Sequence, residues 1–242
     1  MTPPRHPIVT APAWIILASG PSQNATDIET VRLARAELLG AGLRVLAINN
    51  QIFAAPWADV LYSHDAAWWK AYSDPTTLPE HAALLRAYPG ERACWDDFGI
   101  PYGARPVPRE RPVDGLGLEG VRSGCNSGFQ AMNLVFLRGA KTIIVTGYDM
   151  QHASDGRRHN HADHPVPLGN FSAGMPEMCR RHMGTIAGPL RERGVRVINA
   201  SRETALTCFE RMTLADAIAV ARARLSPHPA PPVASPAHCG LS

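Results

Sequence analysis

The chain has 242 residues, 45% of them hydrophobic, and a formal net charge of +3. That is enough apolar material for one sizeable core, while the weak charge excludes a strongly basic nucleic-acid surface. No apolar run is long enough to cross a bilayer, and the opening "MTPPRHPIVTAPAW" is too rich in proline and too weakly apolar for a secretory signal. The five cysteines (Cys94, Cys125, Cys179, Cys208, Cys239) are scattered and never spaced C-x-x-C. Together these features predict a protein of a reducing cytoplasm, without a disulfide framework or a cysteine zinc site.

In chain order, "AWIILAS" (13–19) predicts a buried strand that runs into a Gly20-Pro21-Ser22 turn. The helix that follows carries Ile28, Val31, Ala34 and Leu38 at helical spacing, with Thr26 and Glu29 expected as its capping box and Gly40 and Gly42 stopping it. Strands are predicted at 43–49 ("LRVLAIN") and 58–63 ("ADVLYS"). A strand, a helix and a second strand in so short a space form a βαβ unit, and with it a parallel sheet.

Residues 65–120 are cut by seven prolines, so an irregular insertion is expected there, with helical pieces in "HDAAWWKAY" and "PEHAALLRAY". The pattern then clears into a helix at 126–138, a strand at 140–147, a long loop over about 150–173, a helix from "PEMCRRHMGTIAGPLRERG" and a strand from "VRVINAS". A last helix, 213–225, has Thr213 and Asp216 as its box, and the proline-rich 226–242 has the composition of a disordered tail. The expected fold is α/β: one Rossmann-like, mostly parallel sheet flanked by helices, in a single domain over 1–225.

Ligands of open parallel sheets bind beyond the carboxyl ends of the strands. Polar clusters fall at four such ends: Ser19-Gly20-Pro21-Ser22, Asn49-Asn50-Gln51, Tyr62-Ser63-His64-Asp65 and Thr146-Gly147-Tyr148-Asp149. Asn126-Ser127-Gly128 opens a helix, where free amides and the helix dipole favour an anion. Singly, each cluster is ordinary cap or turn chemistry. Jointly they point to a nucleotide pocket. Cys125 lies at the same helix start, but "GCNSG" is not a nucleophile elbow and a small buried role is expected for it.

The loop sequence "RRHNHADHP" contains His159, His161, Asp163 and His164 in the spacing H-x-H-x-D-H, which resembles that of dinuclear zinc hydrolases. Here the motif comes late in the chain and few further ligands follow it. No metal is therefore expected to be required; if a divalent metal binds, those four residues are its candidate ligands.

The ordered clusters resemble the superfamily of bacterial lipooligosaccharide sialyltransferases and their 6-hydroxymethylpterin diphosphokinase relatives. The resemblance is carried by "IILASGPSQ", "AINNQIF", "NSGFQAMNLVFLRGAKTIIVTGYDM" and "VINASRETALTCF". A set of phage-encoded proteins is similar in the N-S-G-x-Q-A and G-x-D-M pieces and in a His-bearing loop. The resemblance implies a nucleotide-sugar-dependent transferase, acting without a metal, in the cytoplasm (a host's, if phage-encoded). Gly20 and Ser22 would approach the phosphate, Asn50 and Gln51 the sugar or ribose, Asn126, Ser127 and Gly128 the nucleotide, with Tyr148 and Asp149 bordering the pocket. Where that family has loop tyrosines, this chain offers Arg157 and Arg158 to the phosphate. A loop histidine, His164 or else His161, takes the role of base, since imidazole titrates near neutrality. The diphosphokinase branch implies Mg²⁺ and ATP held by acidic residues, for which Asp65 is the candidate. Other readings are a metal-dependent hydrolase and a nucleotide-binding phage protein without catalysis.

Overall fold

The computed structural model describes residues 7–166 and 168–226; the predicted tail, 226–242, lies outside them from residue 227 on. Strands β1 (Ala13–Leu17), β2 (Leu43–Ile48) and β3 (Val60–Ser63) alternate with helices α1 (Ala25–Leu38) and α2 (Gln51–Ala54). Next come α3 (Ala66–Tyr72), α4 (Pro79–Ala87), β4 (Glu91–Cys94), a 3-10 turn (Asp97–Tyr102) and β5 (Arg105–Pro106). The chain closes with α5 (Ser127–Leu137), β6 (Thr142–Thr146), α6 (Met175–Glu192), β7 (Arg196–Asn199), β8 (Glu210–Arg211) and α7 (Leu214–Leu225).

The eight strands form one sheet in the order β5-β4-β3-β2-β1-β6-β7-β8, with every pairing parallel. This is the Rossmann-like α/β fold. Ile15 of β1 stands opposite Val45 of β2 and Ile144 of β6, so the central strands are in matched register. Both faces are covered, and the two-residue period of the strands divides the core. Ile15 and Leu17 pack with Val31 of α1 and Ala217 of α7; Trp14 and Ile16 pack with Phe129 of α5 and Ile186 of α6. Each fully buried aliphatic side chain here contributes roughly 1.5–3 kcal/mol.

The expected irregular insertion is regular over much of its length, because β4 and β5 extend the sheet. The sequence of β4, "ERAC", hides the strand: two of its four buried residues are charged. Glu91 is neutralised by Arg138 at 2.6 Å and accepts from the Val9 amide at 2.9 Å, while Arg92 donates to the carbonyls of Leu85 and Tyr88. Pro106 is tolerated because β5 is the sheet edge. Residues 107–126 are irregular apart from one bridge, Arg109 to Val121. Another departure is the cap of α1. Asn24, not Thr26, accepts the Asp27 amide at 3.0 Å, and Glu29 binds Arg32 instead. Thr213 does cap α7, accepting from the Asp216 amide at 3.2 Å.

Candidate functional site

From β1 the sheet grows one way to β5, then restarts on the other side with β6. The two chains leaving β1 and β6 therefore run side by side at the point where strand order reverses, the usual ligand crevice of such sheets. The Ala18 amide donates to the Thr146 carbonyl at 3.0 Å, and the Gly20 amide to the Gly147 carbonyl at 2.9 Å. Only glycine fits at position 20: a Cβ there would lie 2.4 Å from both the Gly147 carbonyl oxygen and Asp149 Oδ1. Gly147 has φ +71° and its own Cβ position is 2.1 Å from the Ala18 carbonyl oxygen.

Asp149 is 2% exposed. Its Oδ2 accepts the Ser22 amide at 2.7 Å, whereas its buried Oδ1 has no partner. Burial pushes its carboxyl up to about 6, against the pull of the Ser22 hydrogen bonds. Across the crevice stands the start of α5. Asn126 caps it by accepting the Phe129 amide at 2.8 Å, leaving the amides of Ser127 and Gly128 in the first turn, where no intrahelical partner exists. Ser127 Oγ and His64 Nδ1 share a 2.6 Å hydrogen bond, and burial holds the His64 imidazole below its ordinary range, opposed by Asp65. The buried Tyr148 hydroxyl donates to the Gly128 carbonyl at 3.0 Å, and burial raises it well above the usual phenol. Asn49, in the left-handed region at φ +50°, leaves its buried Oδ1 without a partner.

These groups surround a cavity of about 230 Å³, with Ile48, Phe171, Met175 and Cys179 as apolar walls. An outer groove of about 700 Å³ adjoins it along residues 152–163, and Arg158 and His159 line both. The His-bearing loop is laid across the β1 turn by three bonds. The Asn160 amide donates to the Ser19 carbonyl at 3.1 Å, Arg157 to the Pro21 carbonyl at 3.2 Å, and Gln51 Nε2 to Asn160 Oδ1 at 2.8 Å.

Of the residues singled out in the sequence, Gly20, Asn126, Ser127, Gly128, Tyr148, Asp149 and Arg158 line the cavity together. Ser19, Pro21, Asn49, His64 and Gly147 of the polar clusters line it as well, whereas Ser22, Asn50, Gln51, Arg157, His161 and His164 do not. Ser22 is engaged in holding Asp149 and accepting the Glu203 amide. Asn50 accepts from Trp68 Nε1 at 2.6 Å and donates to the Tyr72 hydroxyl at 2.9 Å, and Gln51 is buried beneath the loop. Arg157 pairs with Asp155 in the open. His161 lines only the outer groove, and His164 Nδ1 is 2.8 Å from the Tyr72 hydroxyl. Asp65, the candidate magnesium ligand, caps α3 by accepting the Ala67 amide at 2.8 Å. His64 and Asn49, which the strand-end clusters contain without an individual role, line the cavity with His159, and Cys125, expected to be buried, is exposed and lines it too.

The imidazoles of His159, His161 and His164 lie together, and burial depresses all three. The effect is strongest for His159, which is held down to about 4 with its two neighbours adding repulsion. They are uncharged at neutral pH. Asp163 is close enough to interact with them, but its carboxylate is gripped by Arg158. Among the described residues, no group of three or more His, Cys, Asp or Glu side chains is already placed to hold a metal ion. No described helix is long and apolar enough to cross a membrane. In comparisons with protein families, curated proteins and solved structures, the chain matches none.

Proposed function

We propose that the chain is a transferase that takes a nucleotide-linked donor, a nucleotide sugar, into the cavity at the strand-order reversal. One observation carries this reading: the cavity asks for a ligand that is both anionic and rich in hydrogen-bond donors. The free amides at the start of α5 favour an anion. Asn49 Oδ1 and Asp149 Oδ1 are buried acceptors lacking donors, each of which costs about 1–3 kcal/mol until a donor arrives. A phosphate beside ribose hydroxyls or a base amine at Asn49, with the acceptor hydroxyl at Asp149, meets both demands. The cavity suits the nucleotide part, and the outer groove has room for what the nucleotide carries.

The proton acceptor in this reading is Asp149 rather than His164 or His161, which do not line the cavity. With its carboxyl raised to about 6, Asp149 is ionised at neutral pH yet basic enough to take a proton. The acceptor hydroxyl gives its proton to Asp149 as its oxygen bonds to the sugar carbon, and the bond from that carbon to phosphate oxygen breaks. The nucleotide leaves with the electron pair, its charge held by the amides at the α5 terminus. Nucleotide release from CMP-, UDP- and GDP-linked sugars with an acceptor panel tests this. Asp149→Asn is expected to slow release by at least about a hundredfold. Release at the wild-type rate in that variant contradicts the mechanism, and nucleotide binding with no release from any donor points to a binding protein.

A further inference from the structure

We propose that His159, His161 and His164 form a three-imidazole cradle for one transition-metal dication, with zinc the best fit, at the mouth of the cavity. The three ring centres make a nearly equilateral triangle, with sides of 4.9, 5.1 and 5.3 Å. Three imidazoles bound tetrahedrally to zinc through bonds of 2.0–2.1 Å have ring centres about 5 Å apart. The rings are therefore at the right separation, but the His159 and His161 planes are parallel, so these rings must reorient before their nitrogens meet on one ion.

The far sides of two rings are already fixed. His161 Nδ1 meets the Ala162 carbonyl at 2.6 Å, and His164 Nδ1 meets the Tyr72 hydroxyl at 2.8 Å. The Ala162 carbonyl can only accept, so it sets the tautomer that leaves His161 Nε2 a lone pair for a metal, whereas the Tyr72 hydroxyl serves either tautomer of His164. His159 Nε2 and His161 Nε2 are both buried with no partner, which is costly for a polar atom unless something arrives to bind it. Asn170 further fixes this arm of the loop, its Oδ1 accepting the His164 amide at 2.8 Å. Asp163 is excluded from the set because Arg158 holds both of its oxygens. The cradle is thus three histidines and an open position, not the four-residue set that the motif alone suggests. Imidazole ligands select zinc, copper, nickel or iron over magnesium or calcium.

The test uses the full chain without an affinity tag, stripped with chelator and titrated with Zn²⁺ and Co²⁺. One equivalent per chain is expected, with the visible absorption of tetrahedral Co²⁺. Affinity should fall more than about tenfold in each of His159→Ala, His161→Ala and His164→Ala. Asp163→Asn should leave it essentially unchanged. X-ray absorption at the zinc edge of the loaded wild-type chain counts imidazole ligands directly, three being expected, and does not depend on whether any variant folds. Substoichiometric binding by the wild-type chain, one imidazole or none at the edge, or undiminished binding in the triple variant overturns the proposal. No nucleotide is present in these measurements, so their outcome is separate from the reading of the cavity.

Discussion

Asp149→Asn should make the protein more stable at neutral pH while stopping its chemistry. In the folded chain burial lifts the Asp149 carboxyl to about 6, against an ordinary value of 3.8. Between those values the folded state binds a proton that the unfolded state has released, so this group's contribution weakens as pH rises through the window. Below the lower value the two states are equally protonated; above the upper one the full cost of a buried, half-satisfied carboxylate is present. Two pKa units correspond to about 3 kcal/mol, or about 6–12 °C in Tm for a chain of this size. Asparagine keeps an oxygen for the Ser22 amide and has no charge to bury. Thermal melts of both proteins from pH 4 to pH 8 should show the variant gaining on the wild type up to about pH 6 and holding that gain above it. Subtracting the two curves cancels titrations the proteins share, including those of the histidines. Parallel curves across the whole range refute the assignment of this pH dependence to Asp149.

Wild-type transfer should lose rate as pH falls through about 6, where Asp149 takes up its proton; a kcat profile flat to pH 5 contradicts its role as base. Gly20→Ala should cost about 1–3 kcal/mol and abolish nucleotide binding, since the added methyl lands on a backbone carbonyl and on Asp149; chemical denaturation and calorimetry read the two effects. Glu91→Ala should destabilise by about 3–5 kcal/mol by leaving Arg138 charged and buried, and pairing Glu91→Met with Arg138→Met should recover most of it. A loss below about 1 kcal/mol in the single variant shows that the pair matters little.

How much of this was legible in the sequence followed the physics of each element. Strands with apolar residues on both faces, such as Ala13–Leu17 and Thr142–Thr146, stand out because burial on both sides leaves a continuous apolar run. Glu91–Cys94 does not, because its two buried charges are satisfied by partners that only the fold supplies, including Arg138 from 47 residues away. Caps depend on where the chain enters the helix, so Asn24 displaced the better-looking Thr26. The site was half visible for the same reason. Polar residues after strands marked the correct end of the sheet, but sequence spacing cannot separate those facing the cavity from those tying the loop down. Asn50 and Gln51 are of the second kind, Asn49 of the first. His64 meets Ser127 across 63 residues, a pairing that only strand order creates.

The most direct test of the cavity as a nucleotide site is the melting temperature of the tag-free chain in chelator, with CMP, CDP, UDP, ADP or ATP added. A ligand that binds only the folded state raises Tm by mass action, so a nucleotide at a hundred times its Kd adds about 2.7 kcal/mol. Such a rise is expected with at least one nucleotide, together with its loss in Gly20→Ala. No rise with any of them, in a chain that is otherwise folded, contradicts the nucleotide site.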